Sequence, residues 1–290
     1  MNPAPRPPAV AGSFYPGQRT QLDRLVTTLL EAASLAARPA GLASDSVAGL
    51  MVPHAGLVYS GAIAALAWRL AGEIDPATIV LAGTDHQALA AGVGVWTGGP
   101  WQTPLGEVEI GSSLAAAIAE LGSPFAADND AHLDEHSLEV QLPLLMRVLP
   151  HARIVPLAVS PRLRTHTDAG RRLGKLLFER RAAGERILLV ASSDMAHYPP
   201  ARVCEETDAE LLEPLLRMDA DALGELDLRV TRAGRPGLVC GLCGIDPVRF
   251  ALSALGEMGA SRGMLLGAAT SADAGGDPRR TVGYAAAAFL

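Results

Sequence analysis

The chain has 290 residues, of which 49% are hydrophobic and 19% charged, which suits one large α/β domain or two small ones. A formal net charge of −7 argues against binding to a nucleic-acid backbone or to an anionic membrane. No secretory leader pattern or membrane-length apolar run is visible, and three cysteines are too few for a disulfide framework. We therefore expect a cytoplasmic protein without nucleic-acid or membrane partners.

The first predicted element is a proline-rich arm that ends in a turn at Phe14-Tyr15-Pro16-Gly17. Aromatic residues make up only 4% of the chain, so Phe14 and Tyr15 either anchor the arm in the core or form a lid over a pocket. A helix follows, with Thr20 as its expected N-cap, and should end near Leu35. Its apolar residues recur at helical spacing: Leu22, Leu25, Val26, Leu29 and Leu30.

Apolar runs and helical patterns then alternate to the end of the chain. The predicted strands cover residues 48–52, 77–83, 92–96, 153–159, 187–193, 263–270 and 281–289. The predicted helices cover residues 60–71, 112–121, 138–148, 165–181, 204–216, 220–226 and 247–258, and a turn-rich loop is expected at 98–106. Because no linker interrupts this alternation, we predict a single α/β domain over residues 1–290, with a central, mostly parallel sheet flanked by helices.

Titratable side chains come directly after three of the predicted strands: His54, then Asp85 and His86, then Asp194 and His197. In open α/β sheets, ligand sites lie beyond the carboxyl ends of the strands. If the three strands are parallel neighbours, these side chains converge on one crevice. In that crevice Asp194 would be either a metal ligand or the group that orients a histidine, and His197 would be an acid or base.

Cys240 and Cys243 form a C-x-x-C motif near the start of a predicted helix. No second pair completes a zinc knuckle, and the motif lies far from the start of the fold, where thioredoxin-type chemistry is found. Proximity to a helix N-terminus would lower the pKa of the Cys243 thiol and make it a ligand or nucleophile; the alternative is an inert buried cysteine. With His54 and His86 it would form a three-point site for a divalent or soft metal.

The segment His132-Leu-Asp134-Glu135-His136 fits the H-x-x-E-H pattern of one class of zinc peptidases. That pattern needs both histidines on one face of an established helix, whereas this segment follows helix-poor residues and resembles a loop and a first helical turn. We therefore predict that it is not a peptidase site and that His132 is dispensable. Acidic residues here also suit the positive end of a helix dipole.

Four blocks of sequence, in order and spread over the chain, resemble the Memo family, whose bacterial and archaeal members are called AmmeMemoRadiSam system protein B. The opening Ala11-Gly-Ser-Phe14-Tyr15-Pro16 is similar to that family's start, and the resemblance extends from about Arg6 to Leu290. The four blocks are His54-Ala-Gly-x-x-Tyr59-Ser-Gly61, Asp134-Glu-His136-Ser-Leu-Glu139-x-Gln-Leu-Pro143, Ser192-Ser-Asp194-x-x-His197-Tyr198 and Cys243-Gly-x-x-Pro247.

The resemblance implies a fold like that of the class III extradiol dioxygenases of the LigB type. In those enzymes two histidines and a glutamate bind Fe(II), and a further histidine is the acid or base. The matching positions here are His54 and His86 as ligands, Cys243 in place of the glutamate, and His197 as the acid or base. The resemblance implies iron or copper as the metal, with zinc as an alternative. The expected pocket residues are Phe14, Tyr59, Asp85 and His136.

Two departures from the family pattern affect the site. The family has Gly-Pro-Ser-His before its second ligand, whereas this chain has Gly83-Thr-Asp85-His86, so Asp85 adds a carboxylate that would bind the metal, orient His86 or alter selectivity. The family's single cysteine is joined here by Cys240. We assign the ligand to Cys243 because the Gly and Pro of the family's block follow it.

Three functions remain open from the sequence. The leading hypothesis is a metal-binding protein that is redox-active towards iron or copper, without assured turnover. The second is a non-haem iron oxidoreductase, a dioxygenase acting on a small substrate, although a thiolate in place of the carboxylate removes the usual ligand triad for oxygen activation. The third is a non-catalytic module that binds a small molecule, a peptide or a partner protein, such as the radical-SAM protein implied by the family's system name.

Overall fold

The computed structural model describes residues 4–290 and contains ten strands. In chain order they are β1 (Gly49–Val52), β2 (Thr78–Thr84), β3 (Val93–Val95), β4 (Trp101–Thr103), β5 (Gly106–Val108), β6 (Phe125–Ala127), β7 (Arg153–Val159), β8 (Ile187–Ser192), β9 (Gly263–Thr270) and β10 (Gly283–Phe289). Eight of them form one sheet in the order β6-β3-β7-β2-β8-β1-β10-β9, and β4 and β5 form a separate hairpin.

The middle of the sheet is parallel and its margins are mixed. Strands β7, β2, β8 and β1 are parallel neighbours, whereas β3 runs antiparallel to β7 and β10 runs antiparallel to β1. The parallel strands are apolar along almost their whole length because both faces are covered, and every residue of β1 and β8 is buried. The predicted α/β fold with a mostly parallel central sheet is confirmed.

The described residues form eight α-helices: α1 (Arg19–Leu35), α2 (Leu57–Ile74), α3 (Ser112–Ala119), α4 (Leu142–Val148), α5 (His166–Ala182), α6 (Ala201–Leu216), α7 (Ala220–Arg232) and α8 (Ile245–Glu257). Helix α2 packs on β1, β9 and β10 with α1 and α4 beside it. Helix α8 packs on β2, β7 and β8, and α5 lies against α8. The α5–α8 approach is close because Gly170 and Gly174 face carbonyl groups of α8.

Helix α2 is, among the described residues, the one helix that is long and apolar enough to cross a membrane. Most of it is buried against the sheet and its neighbouring helices. Helix α2 is therefore a core helix of this fold.

The structure differs from the predicted elements in several places. The expected loop at 98–106 contains most of the β4–β5 hairpin, and strand β6 was not predicted. All three strands have only three residues, which is too short to show an apolar period. Helix α7 extends to Arg232 instead of ending at 226. The predicted helix at 138–148 is a 3-10 turn at Glu139–Gln141 followed by α4. Helix α1 begins at Arg19, so Thr20 lies inside it and is not the N-cap.

Candidate metal centre

The carboxyl ends of β1, β2 and β8 lie side by side and open into a pocket of about 600 Å³. The three strands are parallel neighbours, so the polar groups that follow them meet at one edge of the sheet. Eight of the predicted site residues line the pocket: Phe14, His54, Tyr59, His86, His136, Asp194, His197 and Cys243.

Three of these side chains form a compact donor set. One potential ligand atom each from His54, His86 and Cys243 lies within 4.8 Å of the others, and Cys243 Sγ is 3.0 Å from His54 Nε2. Metal–nitrogen and metal–sulfur bonds of about 2.0–2.3 Å bring ligand atoms to such separations around one ion. The sequence therefore located these three residues correctly relative to one another, although they are up to 189 positions apart.

His54 is fixed in one tautomer by the residues behind it. Its Nδ1 lies 3.0 Å from the Ser192 hydroxyl, which donates its own proton to the Ser137 carbonyl at 2.7 Å. Ser192 must therefore accept from His54 Nδ1–H, which leaves the Nε2 lone pair facing Cys243. Burial lowers the pKa of His54 well below its ordinary value, and the nearby His136 and His86 lower it further, so the ring is neutral and able to bind a metal.

His86 is held by Glu135, a buried residue that the sequence analysis did not assign to the site. The carboxylate accepts from the His86 backbone N–H at 2.8 Å and from Nδ1 at 2.9 Å. Burial opposes the charge on Glu135, but hydrogen bonds and charge from His86 and the Ser137 N–H outweigh it and lower the pKa to about 2. An ionised carboxylate only accepts, so His86 carries its proton on Nδ1 and leaves Nε2 free.

Cys243 lies in the loop before α8. A Cβ at the following residue, Gly244, would lie 2.7 Å from the Ser192 carbonyl oxygen, so this close approach requires glycine. On the other side of the cysteine, the Leu242 N–H donates to the Asp227 carboxylate at 2.8 Å. Burial raises the pKa of the Cys243 thiol well above its ordinary value, and Asp194 raises it further. The expectation that the helix N-terminus lowers this pKa is wrong for the metal-free protein, because desolvation dominates; a bound cation would be needed to remove the proton.

Asp194 and His197 follow β8 and stand beside the cysteine, with ligand atoms of the two and of Cys243 within 4.8 Å of one another. The Asp194 carboxylate accepts from the backbone N–H groups of His54 and Ala55, at 2.6 and 3.1 Å. It thus fixes the His54 backbone and makes no hydrogen bond to a ring nitrogen. His197 Nδ1 is 2.9 Å from the Met195 carbonyl, so Nδ1 carries the proton and Nε2 is free.

Two residues singled out beside the site do not line the pocket. The structure corrects the placement of Asp85: its carboxylate is buried in the loop after β2, where it accepts from the Ala90 N–H at 2.6 Å. The orientation of His86, one of the roles proposed for Asp85, is performed by Glu135. Cys240 also lies outside the pocket lining, and burial raises its pKa to about 12.

The peptidase-like histidines point in different directions. His132 is fully buried, with Nε2 3.0 Å from the Gly94 carbonyl and its ring packed edge-to-face against Trp96 and Trp101. His136 instead faces the pocket, stacked on His86 at 4.5 Å between ring centroids. His132 therefore lies in the core, whereas His136 lines the pocket.

The connection between β9 and β10 supplies pocket residues that the sequence analysis missed. They are Ser271, Gly276, Asp277, Arg280 and Val282, and Tyr284 at the start of β10 lines the pocket beside them. Strand β10 is antiparallel to β1, so its first residues lie beside the carboxyl end of β1. The site was predicted only from the carboxyl ends of parallel strands, and the antiparallel β10 places the β9–β10 connection beside those ends. The Arg280 guanidinium lies over the Tyr198 ring at 4.1 Å, on the rim of the pocket.

These features define a class of protein: an α/β fold with a His/His/Cys donor set at the carboxyl ends of its parallel strands. A family profile described as "Memo-like protein" matches residues 6–288. A MEMO1 family protein of Methanopyrus kandleri is 33% identical, with 98% of each chain covered. Another from Ignicoccus hospitalis is 34% identical over 98% of each. The chain belongs to the Memo family.

Among solved structures, an uncharacterized protein of Escherichia coli K12 is similar with a TM-score of 0.49 and 17% identity, covering 83% of this chain and 99% of that one.

Proposed function

We propose that the protein binds one transition metal ion, iron or copper, through His54, His86 and Cys243, in a reducing compartment such as the cytoplasm. The observation that carries the proposal is the orientation of the two imidazole rings, which is fixed before any metal binds. Both imidazoles have Nδ1 occupied by a protein acceptor, and both leave Nε2 for the pocket that contains the thiol. Histidines that bind metals are commonly held in this way.

The donor types favour particular metals. A thiolate is a soft ligand that suits Cu(I), Fe(II) and zinc, and imidazole suits all three. The three cysteines are free thiols, which fits a reducing environment. A bound iron or copper ion would supply one-electron chemistry in the pocket, and this is the sense in which we propose that the protein is redox-active.

Metal analysis of untagged protein, purified with and without oxygen, tests the proposal. We expect about one equivalent of iron or copper in the wild type and little in His54→Ala or His86→Ala. His151→Ala is the control, because His151 is exposed and does not line the pocket. Equal metal content in all four proteins would contradict the assignment of these ligands.

A second proposal is oxidoreductase activity on a small substrate, with His197 as acid or base. It is favoured by the free Nε2 of His197 in a pocket of about 600 Å³, which is large enough to hold a small organic molecule beside the donor set. His197 would receive or deliver the proton through Nε2, while Met195 holds the ring in place.

Turnover distinguishes the two proposals. Incubation of Fe(II)-loaded protein with catechol-type substrates in air should consume oxygen if the second proposal holds, and His197→Gln should abolish this consumption while leaving the iron content unchanged. No oxygen uptake across a broad substrate panel, with iron bound, would leave metal binding without turnover as the function.

A further inference from the structure

The N-terminal arm carries a charged side chain into the interior. Arg6 is fully buried, and its backbone is fixed to β4, since its N–H donates to Pro100 at 2.8 Å and its carbonyl accepts from Gln102 at 2.9 Å. The guanidinium lies over the Trp101 ring at 4.1 Å. A buried guanidinium is unfavourable unless its donors find acceptors.

Those acceptors lie almost entirely in one short segment, residues 132–139. Nε donates to the His132 carbonyl at 2.7 Å and Nη2 donates to the Glu135 carbonyl at 2.7 Å. Nη1 pairs with the Glu139 carboxylate at 2.6 Å. Glu139 in turn accepts from three groups of the arm: the Ala9 N–H, the Val10 N–H and the Tyr15 hydroxyl. The planar guanidinium thus fixes both ends of the turn that contains Glu135.

Glu135 connects this buried arginine to the pocket. Its carbonyl accepts from Arg6, and its carboxylate accepts from the backbone N–H and Nδ1 of His86. We propose that Arg6 is a positioning residue for the metal pocket: by holding the 132–135 turn, it sets the direction from which the Glu135 carboxylate reaches His86. Its importance for metal affinity rests on the proposed function, whereas the Arg6–Glu135–His86 connection does not.

The same arm also reaches the pocket directly. Phe14 packs on His136, with ring centroids 4.7 Å apart, and its carbonyl accepts from the Leu57 N–H at the start of α2. The arm is therefore linked to the pocket at two places, through the Arg6–Glu135 contact and through the Phe14–His136 contact. Because such linkage is reciprocal, a metal that fixes His86 also stabilises the docked arm.

A double-mutant cycle with Co²⁺ as the probe tests the path. Arg6→Lys keeps the charge but loses the planar fork, and Glu135→Gln removes the charge that holds His86. We expect each to weaken Co²⁺ binding by about 10–100-fold, as loss of a partner behind a metal ligand typically does. The double variant should bind within about twofold of Glu135→Gln, because both changes act through one contact. Arg69→Gln, at a partly buried arginine that contacts Ala33 and Glu73, should bind like the wild type.

A metal-free measurement separates positioning from general destabilisation. Nitrogen-15 NMR of the histidine rings reports which ring nitrogen carries the proton. In Arg6→Lys we expect His86 to lose its uniform Nδ1–H form while His54 keeps it. Leu177→Ala, in the fully buried part of α5, should lower stability without changing either ring. If Arg6→Lys keeps the wild-type His86 tautomer and Co²⁺ affinity, the proposal is wrong.

Hydrogen exchange on the unmodified chain provides the test if Arg6→Lys does not fold. Co²⁺ should slow exchange of the Ala9 and Val10 amides, which donate to Glu139, relative to amides in α5. Unchanged exchange with Co²⁺ bound would overturn the inference. If the wild-type protein binds neither Co²⁺ nor iron or copper, the proposed function fails instead, and the histidine NMR still decides whether Arg6 positions His86.

Discussion

The rings of His54, His86 and His197 are oriented in the same manner. Each has Nδ1 within 3.0 Å of an oxygen of the protein, a serine hydroxyl, a carboxylate and a carbonyl respectively. The partners differ in strength: only Glu135 is charged, so the hydrogen bond that holds the His86 ring is the strongest of the three. Single substitutions behind the rings should therefore alter metal affinity without removing a ligand.

The two cysteines of the C-x-x-C motif should differ sharply. Cys243 lines the pocket 3.0 Å from His54 Nε2, whereas Cys240 does not line it. Cys243→Ser should weaken Cu(I) binding by more than the about 10–100-fold expected for an outer partner, because an alcohol is a poor ligand for a soft ion. Cys240→Ser should have little effect. Matched Cu(I) titrations measure both, and equal losses would mean that the thiols share a site or form a redox pair.

Helices α5 and α8 are packed more closely than side chains with a Cβ would allow. A Cβ at Gly170 would collide with the Phe250 carbonyl oxygen and lie 2.8 Å from the Ser253 Cβ. Since α8 follows directly after Cys243, its position against α5 also fixes the start of the cysteine loop.

Two glycine-to-alanine changes test this packing. Gly170→Ala should destabilise the protein by about 1–3 kcal/mol, because α5 must move away from α8. Gly256→Ala, in α8 where a Cβ meets nothing within 4 Å, should stabilise it by up to about 1 kcal/mol through helix propensity. Urea unfolding gives both values. A stabilising Gly170→Ala would show that the two helices can separate freely.

The sequence predicted well those parts of the protein that depend on long apolar runs. Strands β7 and β9 have the predicted bounds, and strand ends placed His54 and His86 together. It could not show where a side chain turns after its strand: Asp85 folds back onto the Ala90 N–H, while Glu135 arrives from a distant turn. Such directions depend on loop conformation, which apolar periodicity does not encode.

As a whole, the pocket is assembled from segments throughout the chain: the arm, the ends of three strands, the turn at 132–136, the cysteine loop and the β9–β10 connection. No isolated segment contains the complete donor set, so metal binding requires the folded sheet. Loss of the fold and loss of the metal should therefore occur together. Acidic conditions that protonate the buried histidines should therefore promote both unfolding and release of the metal.

Acid sensitivity of the fold follows from His132. Burial lowers its pKa from 6.5 to about 4. Between those values the unfolded chain takes up a proton that the folded protein excludes, so stability falls as the pH drops from about 6.5 towards 4 and is maintained above 6.5. The contribution is on the order of 3 kcal/mol. Urea unfolding of metal-free protein between about pH 7.5 and 4.5 measures this loss. His132→Gln should show a smaller loss, whereas exposed His151→Gln should follow the wild type; identical curves for all three would assign the acid sensitivity to other groups.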